Sequence, residues 1–122
     1  MVISVEQQDD VCVLRIEGNF KTGVDAEYLS ARTDEVKRLK PGKVLADLRQ
    51  MRYIGSTGIG FLVGIFTSVR LNGGQFVLVG LQPRVDEVFR VTRLNTIIPS
   101  APDLPSGLAA LRGGSSRTGA TQ

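Results

Sequence analysis

Apolar residues fall in short runs along the chain, and turn-forming residues separate those runs regularly enough to predict an order of elements. Val2, Ile3 and Val5 lead into Gln7-Gln8-Asp9-Asp10, and apolar residues resume at 11, 13, 14 and 16, the pattern of a β-hairpin. Residues 18–23, GNFKTG, break the second strand. From Val24 the apolar positions 24, 28, 29, 36 and 39 keep a period near 3.6 with charged residues between them, which predicts one amphipathic helix ending at Pro41-Gly42.

Lys43 to Leu48 reads as a short strand with Asp47 near its end, and Gly55-Ser56-Thr57-Gly58 then opens an apolar helix that runs to Leu71. Asn72-Gly73-Gly74 supplies its C-terminal glycine signal. Gln75 to Leu81 is almost continuously apolar, as expected of a parallel strand covered on both faces. Pro83 suits the first turn of a third helix carrying Val85, Val88, Phe89 and Val91 on one side. Ile97 and Ile98 suggest a brief last strand, and the spacing of Leu104, Leu108 and Leu111 predicts one more helical turn packed on the body.

The order ββαβαβα implies an α/β fold whose mostly parallel sheet carries an antiparallel N-terminal strand. One domain is expected over residues 1–112, followed by a disordered tail over 113–122 that is almost devoid of apolar side chains.

Composition narrows the chemistry. The 122 residues include no histidine and no tryptophan, which removes histidine-based triads and most zinc sites. Cys12 lies in the strand-like run VCVLRI, so it reads as a small buried hydrophobe, and a single cysteine forms no internal disulfide. The net charge of +3 is spread thinly apart from Arg32, Lys37, Arg38, Lys40 and Lys43. Without interleaved aromatic residues that is no nucleic-acid footprint. The start MVISVEQQ lacks the basic and apolar regions of a secretory leader, and the longest apolar stretch, Ile59 to Phe66, is too short to span a bilayer. A cytoplasmic protein without cofactor or metal is expected.

The junction at residues 55–60, GSTGIG, matches neither G-x-G-x-x-G nor the P-loop, which needs a lysine absent here. Enzymatic or nucleotide-binding use of this loop is therefore not expected. Two readings of Ser56 stay open. Its hydroxyl, or that of Thr57, caps the helix for about 1 kcal/mol; or it serves as a regulated anion site at a helix start, where unpaired N–H groups and the macrodipole favour negative charge. Gly60, Gly64 and Ser68 recur every fourth residue, either to let the helix pack closely on its sheet or to present a flat face to a partner. Apolar residues nearly all round this helix would expose a patch that marks a protein partner.

Asp47-Leu48 followed by Gly55-Ser56-Thr57-Gly58-Ile59-Gly60-Phe61-Leu62 resembles the D-L-S-x-V-x-x-I-D-S-S-G-L-G-x-L signature of STAS domains, the anti-sigma factor antagonists. The likeness extends to Gly73-Gly74, Pro83, Val88-Phe89, Leu94 and Ile97-Ile98. It implies a single STAS-like domain with a mixed four-to-five stranded sheet and helices packed on one side. It also implies a non-catalytic role: capture of an anti-sigma factor protein kinase, release of a sigma factor, and loss of binding when Ser56 is phosphorylated. Thr57 is a second candidate acceptor. The implied contact set is Lys21, Gly55, Ser56, Thr57, Gly58, Ile59 and Gly60. Gly55 and Lys21 each stand where the family usually carries an acid, so Lys21 would face a phosphate on Ser56 or an acidic group on the partner. The alternative within the family is a subunit of a lipid-transport or stress-signalling complex that docks through the same surface without switching.

Overall fold

The N-terminal hairpin forms where the alternation places it. In the computed structural model, which describes residues 2–18, 26–39 and 42–113, β1 (Val2–Gln8) pairs antiparallel with β2 (Val11–Glu17). Asp9 adopts φ 55°, the left-handed conformation that a tight hairpin turn imposes.

The chain then alternates helix and strand: α1 (Ala26–Leu39), β3 (Lys43–Gln50), α2 (Ser56–Leu71), β4 (Gln75–Val79), α3 (Pro83–Val91), β5 (Ser100–Ala101) and α4 (Leu104–Gly113). The sheet order is β1-β2-β3-β4-β5, and every pair from β2 onward is parallel. The connections after β2, β3 and β4 therefore all leave from the same edge of the sheet. In open α/β sheets that carboxyl edge is where function concentrates, and here it gathers residues 51–55 and 80–82.

Two apolar layers sandwich the sheet. On one face Leu14, Ile16, Ala46, Leu48 and Leu78 meet Leu29 and Val36 of α1, Leu62 and Ile65 of α2, and Phe89 of α3. Phe66 and Phe76 add an edge-to-face contact with ring centroids 5.7 Å apart. On the other face Val11, Val13, Leu45, Val77 and Val79 are covered by Leu111, with Leu104 and Leu108 packed alongside. The continuous apolar run of β4 is thus explained, since both its faces are buried.

Three expectations need correction or completion. Helices α1, α2 and α3 share one side as expected, but α4 lies on the opposite face, because Val77 and Val79 alternate outward from the main core and require a cover of their own. Ile97-Ile98 is not a strand. The chain passes through a 3-10 turn over Leu94–Thr96, entered with Arg93 at φ 63°, which drops Ile98 into the core and leaves Ile97 58% exposed. Pairing starts afterwards, where Leu78 N–H donates to the Pro99 carbonyl at 2.9 Å and β5 follows. Of the expected tail, Gly113 belongs to α4, and residues 114–122 lie outside the described residues.

Cys12 is fully buried, and burial, assisted by the charge of Glu35, pushes its thiol above the ordinary value, consistent with an inert core residue. At the start of α4 the Asp103 carboxylate accepts the Ser106 N–H at 2.8 Å, which holds that carboxyl below its usual range. Gly107 lets α4 settle on the sheet: a β carbon there would run into the side chains of Val79 and Leu45. Gly107→Ala is therefore expected to lower stability by about 1 kcal/mol despite the better helix propensity of alanine, because overpacking outweighs it. Thermal melting of the variant against wild type checks this.

Candidate functional site

The segment between β3 and α2 is short and well anchored. Met51 and Ile54 are buried, and Met51 N–H donates to the Leu48 carbonyl at 3.0 Å, so the chain turns over its own strand end before the helix begins. Gly55 is the N-cap residue, in extended conformation, with its carbonyl accepting the Ile59 N–H at 3.0 Å. Among the described residues no side chain caps the start of the helix. Neither Ser56 nor Thr57 acts as the cap, because both lie one position or more inside the helix, where a hydroxyl no longer reaches the first N–H groups. Ser56 occupies the first helical position and is exposed. No acid lies in the first turn, so the positive end of the macrodipole is uncompensated at this point.

Of the other expected contact residues, Gly55, Thr57 and Ile59 are half-buried, Gly58 is buried and Gly60 is exposed. Ile59 packs against the core beside Val63. Of these residues α2 therefore exposes Ser56 and Gly60, with half-buried Thr57 and Ile59 beside them. Lys21 lies outside the described residues.

The two explanations for the glycine stripe separate cleanly. A β carbon at Gly60 or Gly64 would meet nothing within 4 Å, so these glycines do not serve packing on the sheet. They face outward, and with Ser56, Thr67 and Leu71 they form a single exposed stripe at spacings of four, four, three and four. Phe61, Leu62, Ile65, Phe66 and Val69 turn inward instead. The surplus of apolar residues on α2 is mostly absorbed by the core. What is exposed is a smooth backbone surface, ending in an apolar groove among Phe66, Thr67, Leu71 and Ile97. Substituting Gly64→Ala is expected to stabilise the fold by about 0.5–1 kcal/mol, since open space leaves only the helix-propensity gain. A chemical denaturation midpoint that failed to rise would contradict this placement of the stripe.

Behind the loop sits a polar assembly that pattern reading missed. Asp47 is only 2% exposed. Its carboxylate accepts the Arg49 backbone N–H at 3.1 Å, Arg49 Nε at 2.9 Å and Arg49 Nη2 at 2.8 Å, with Arg15 Nε at 3.4 Å. Arg15 also pairs with Glu6 at 3.1 Å. Burial acts to raise the Asp47 carboxyl, but the hydrogen bonds and charge of Arg49, joined by Arg15, together hold it below the ordinary carboxylate range. Arg49 in turn accepts Gln82 Nε2 on its carbonyl at 2.8 Å, and its side chain lies across Gly80, where a β carbon would collide with it. Gly80 has φ 68°, a second reason for glycine there. This assembly joins the exits of β3 and β4, from which α2 and α3 start. The available signal was the i, i+2 spacing of Asp47 and Arg49, which puts both on one face of β3.

The STAS domain model matches residues 2–107. The chain belongs to the STAS domain family. It is 43% identical over 65 residues to the anti-sigma-B factor antagonist of Listeria monocytogenes, a match covering 52% of this chain and 57% of that protein, little more than half the relative's length. A longer match, 27% identical over 116 residues, covers 92% of this chain and 96% of BtrV of Bordetella bronchiseptica. Among solved structures, an anti-sigma factor antagonist from Mycobacterium paratuberculosis superposes with a TM-score of 0.81 at 26% identity, covering 91% of this chain and 93% of that one. Like other STAS domains, this one is built on a mixed sheet flanked by helices. Among the described residues no helix is long and apolar enough to cross a membrane, and no cluster of potential metal ligands occurs.

Proposed function

We propose that this protein is a phosphorylation-switched anti-sigma factor antagonist of the cytoplasm. It captures an anti-sigma factor protein kinase through the start of α2 and so frees a sigma factor. The observation that carries this reading is Ser56 itself: exposed, in the first helical turn, uncapped, and followed by an open glycine stripe. A partner's backbone approaches such a stripe closely, since no side chain intervenes at Gly60 or Gly64. Phosphate on Ser56 would add about −1.5 to −2 charges. The helix start tolerates that charge, whereas a desolvated protein contact does not. The switch is therefore electrostatic and needs no change of backbone.

The experiment is a pull-down from the native cell with wild-type and Ser56→Asp bait, with the masses of Ser56 and Thr57 peptides read after incubation with the captured kinase. Capture of a kinase by wild type alone, together with phosphate on Ser56, supports the reading. Gly55, standing where the family carries an acid, favours one alternative, a permanently docked subunit of a lipid-transport or stress-signalling complex. Equal recovery of a transporter or scaffold protein by both baits, with Ser56 unmodified, selects that alternative.

A further inference from the structure

Arg70, in the last turn of α2, stands between two concavities at the end of the helix remote from Ser56. At 14 residues along the helix it lies about 21 Å away. On one side lies the groove already described. On the other is a cavity of about 490 Å³ walled by Phe76, Val77, Pro99 and Leu111, with the Gly73-Gly74 backbone at its rim. That volume lies within the range of small-molecule sites. The rim is fixed: Gly74 N–H donates to the Val69 carbonyl at 2.8 Å and Gln75 N–H to the Gly42 carbonyl at 2.8 Å.

Among the described residues Arg70 is the one charged group on this cavity, and no acidic residue lines it. Its guanidinium sits 5.8 Å from the centre of the Phe66 ring, and among the described residues it has no carboxylate partner. Stacking on the ring limits its freedom while leaving the forked N–H groups available. A cation held at the mouth of a cavity that exposes Pro99 and Ala110 beside it fits a molecule with an apolar body and a single anionic head. We propose that the cavity between α2, β4 and α4 binds an amphipathic monocarboxylate of the fatty-acid type, its head on Arg70 and its chain across Pro99 and Ala110. The planar fork pairs with a carboxylate through two hydrogen bonds, and an alcohol offers no such pairing.

The test uses dodecanoate as probe and dodecan-1-ol as the uncharged control, both below their aggregation limits. Binding is read by calorimetry and by amide shifts of the intact protein. Wild type is expected to bind dodecanoate saturably with shifts centred on residues 73–77 and 111, and Arg70→Gln to bind at least about tenfold more weakly. Ala110, exposed on α4 at the cavity wall, offers a variant that need not disturb the core: Ala110→Trp should block binding. Ser56→Asp should bind dodecanoate as wild type does, which separates this site from the partner surface. The proposal is overturned by absence of saturable binding, by equal affinity for dodecan-1-ol, by undiminished binding in Arg70→Gln, or by shifts centred on residues 55–60.

Discussion

On the proposed function, Ser56→Asp is expected to fold as wild type does and to bind an anti-sigma factor kinase at least about a hundredfold more weakly. Two opposed effects make the result diagnostic. On the protein itself, a carboxylate in the first turn meets the uncompensated positive end of α2, where no acid now lies, and should stabilise the helix by about 0.3–1 kcal/mol. In the complex, the same charge must give up its water against a surface that otherwise meets only Gly60, Gly64 and a hydroxyl. A charge desolvated without a partner costs several kcal/mol, so binding falls while melting temperature holds or rises. Calorimetric titration of the kinase with wild type, Ser56→Asp and Ser56→Ala checks this. Equal affinity of Ser56→Asp and wild type would refute Ser56 as an interface residue, and loss of binding in Ser56→Ala as well would show that the hydroxyl is needed rather than the charge excluded.

The second large effect concerns the assembly beneath the loop. Replacing Asp47 by asparagine is expected to cost about 2 kcal/mol at neutral pH. The figure is set below that of a fully buried pair because Arg49 and Arg15 are 48% and 31% exposed and regain water when the carboxylate is removed. The pH dependence follows from the direction of the shift. The folded carboxyl titrates below its unfolded value, so its contribution is fully present above the ordinary carboxylate range and is lost as pH falls through the folded value. Denaturant titrations should therefore show wild type and Asp47→Asn well separated at pH 7 and converging in strong acid. A constant gap down to pH 2 would mean that Asp47 contributes through shape rather than charge. Because Arg49 also holds Gln82 and lies over Gly80, hydrogen exchange in residues 51–55 should quicken in the variant even where the global fold persists.

The motif around Ser56 was legible because it is local. A strand that ends, a glycine and a serine are consecutive, and their order alone puts a hydroxyl near a helix start. The same locality left the function of the hydroxyl undecided, since a cap and an exposed first-turn residue differ by one position in the helix. Only the conformation of Gly55 separates them. Asp47 illustrates the reverse case. Its partner Arg15 comes from β2, while its other partner Arg49 is held through its carbonyl by Gln82 at the start of α3, and nothing in the neighbouring sequence announces contacts at separations of 32 and 33 residues.

By itself the sequence determined the hairpin, the alternation of strands and helices, the extent of α2 and the family likeness, because hydrophobic period, turn chemistry and a contiguous motif are all properties of neighbouring residues. Tertiary structure decided what periodicity leaves degenerate. It placed α4 on the far face of the sheet, turned Ile98 into the core through a bend where a strand was expected, and made Gly107 a packing glycine while leaving Gly64 facing open space. Two helical glycines differ there, since what each does depends on which surface lies opposite, and that surface comes from a distant part of the chain.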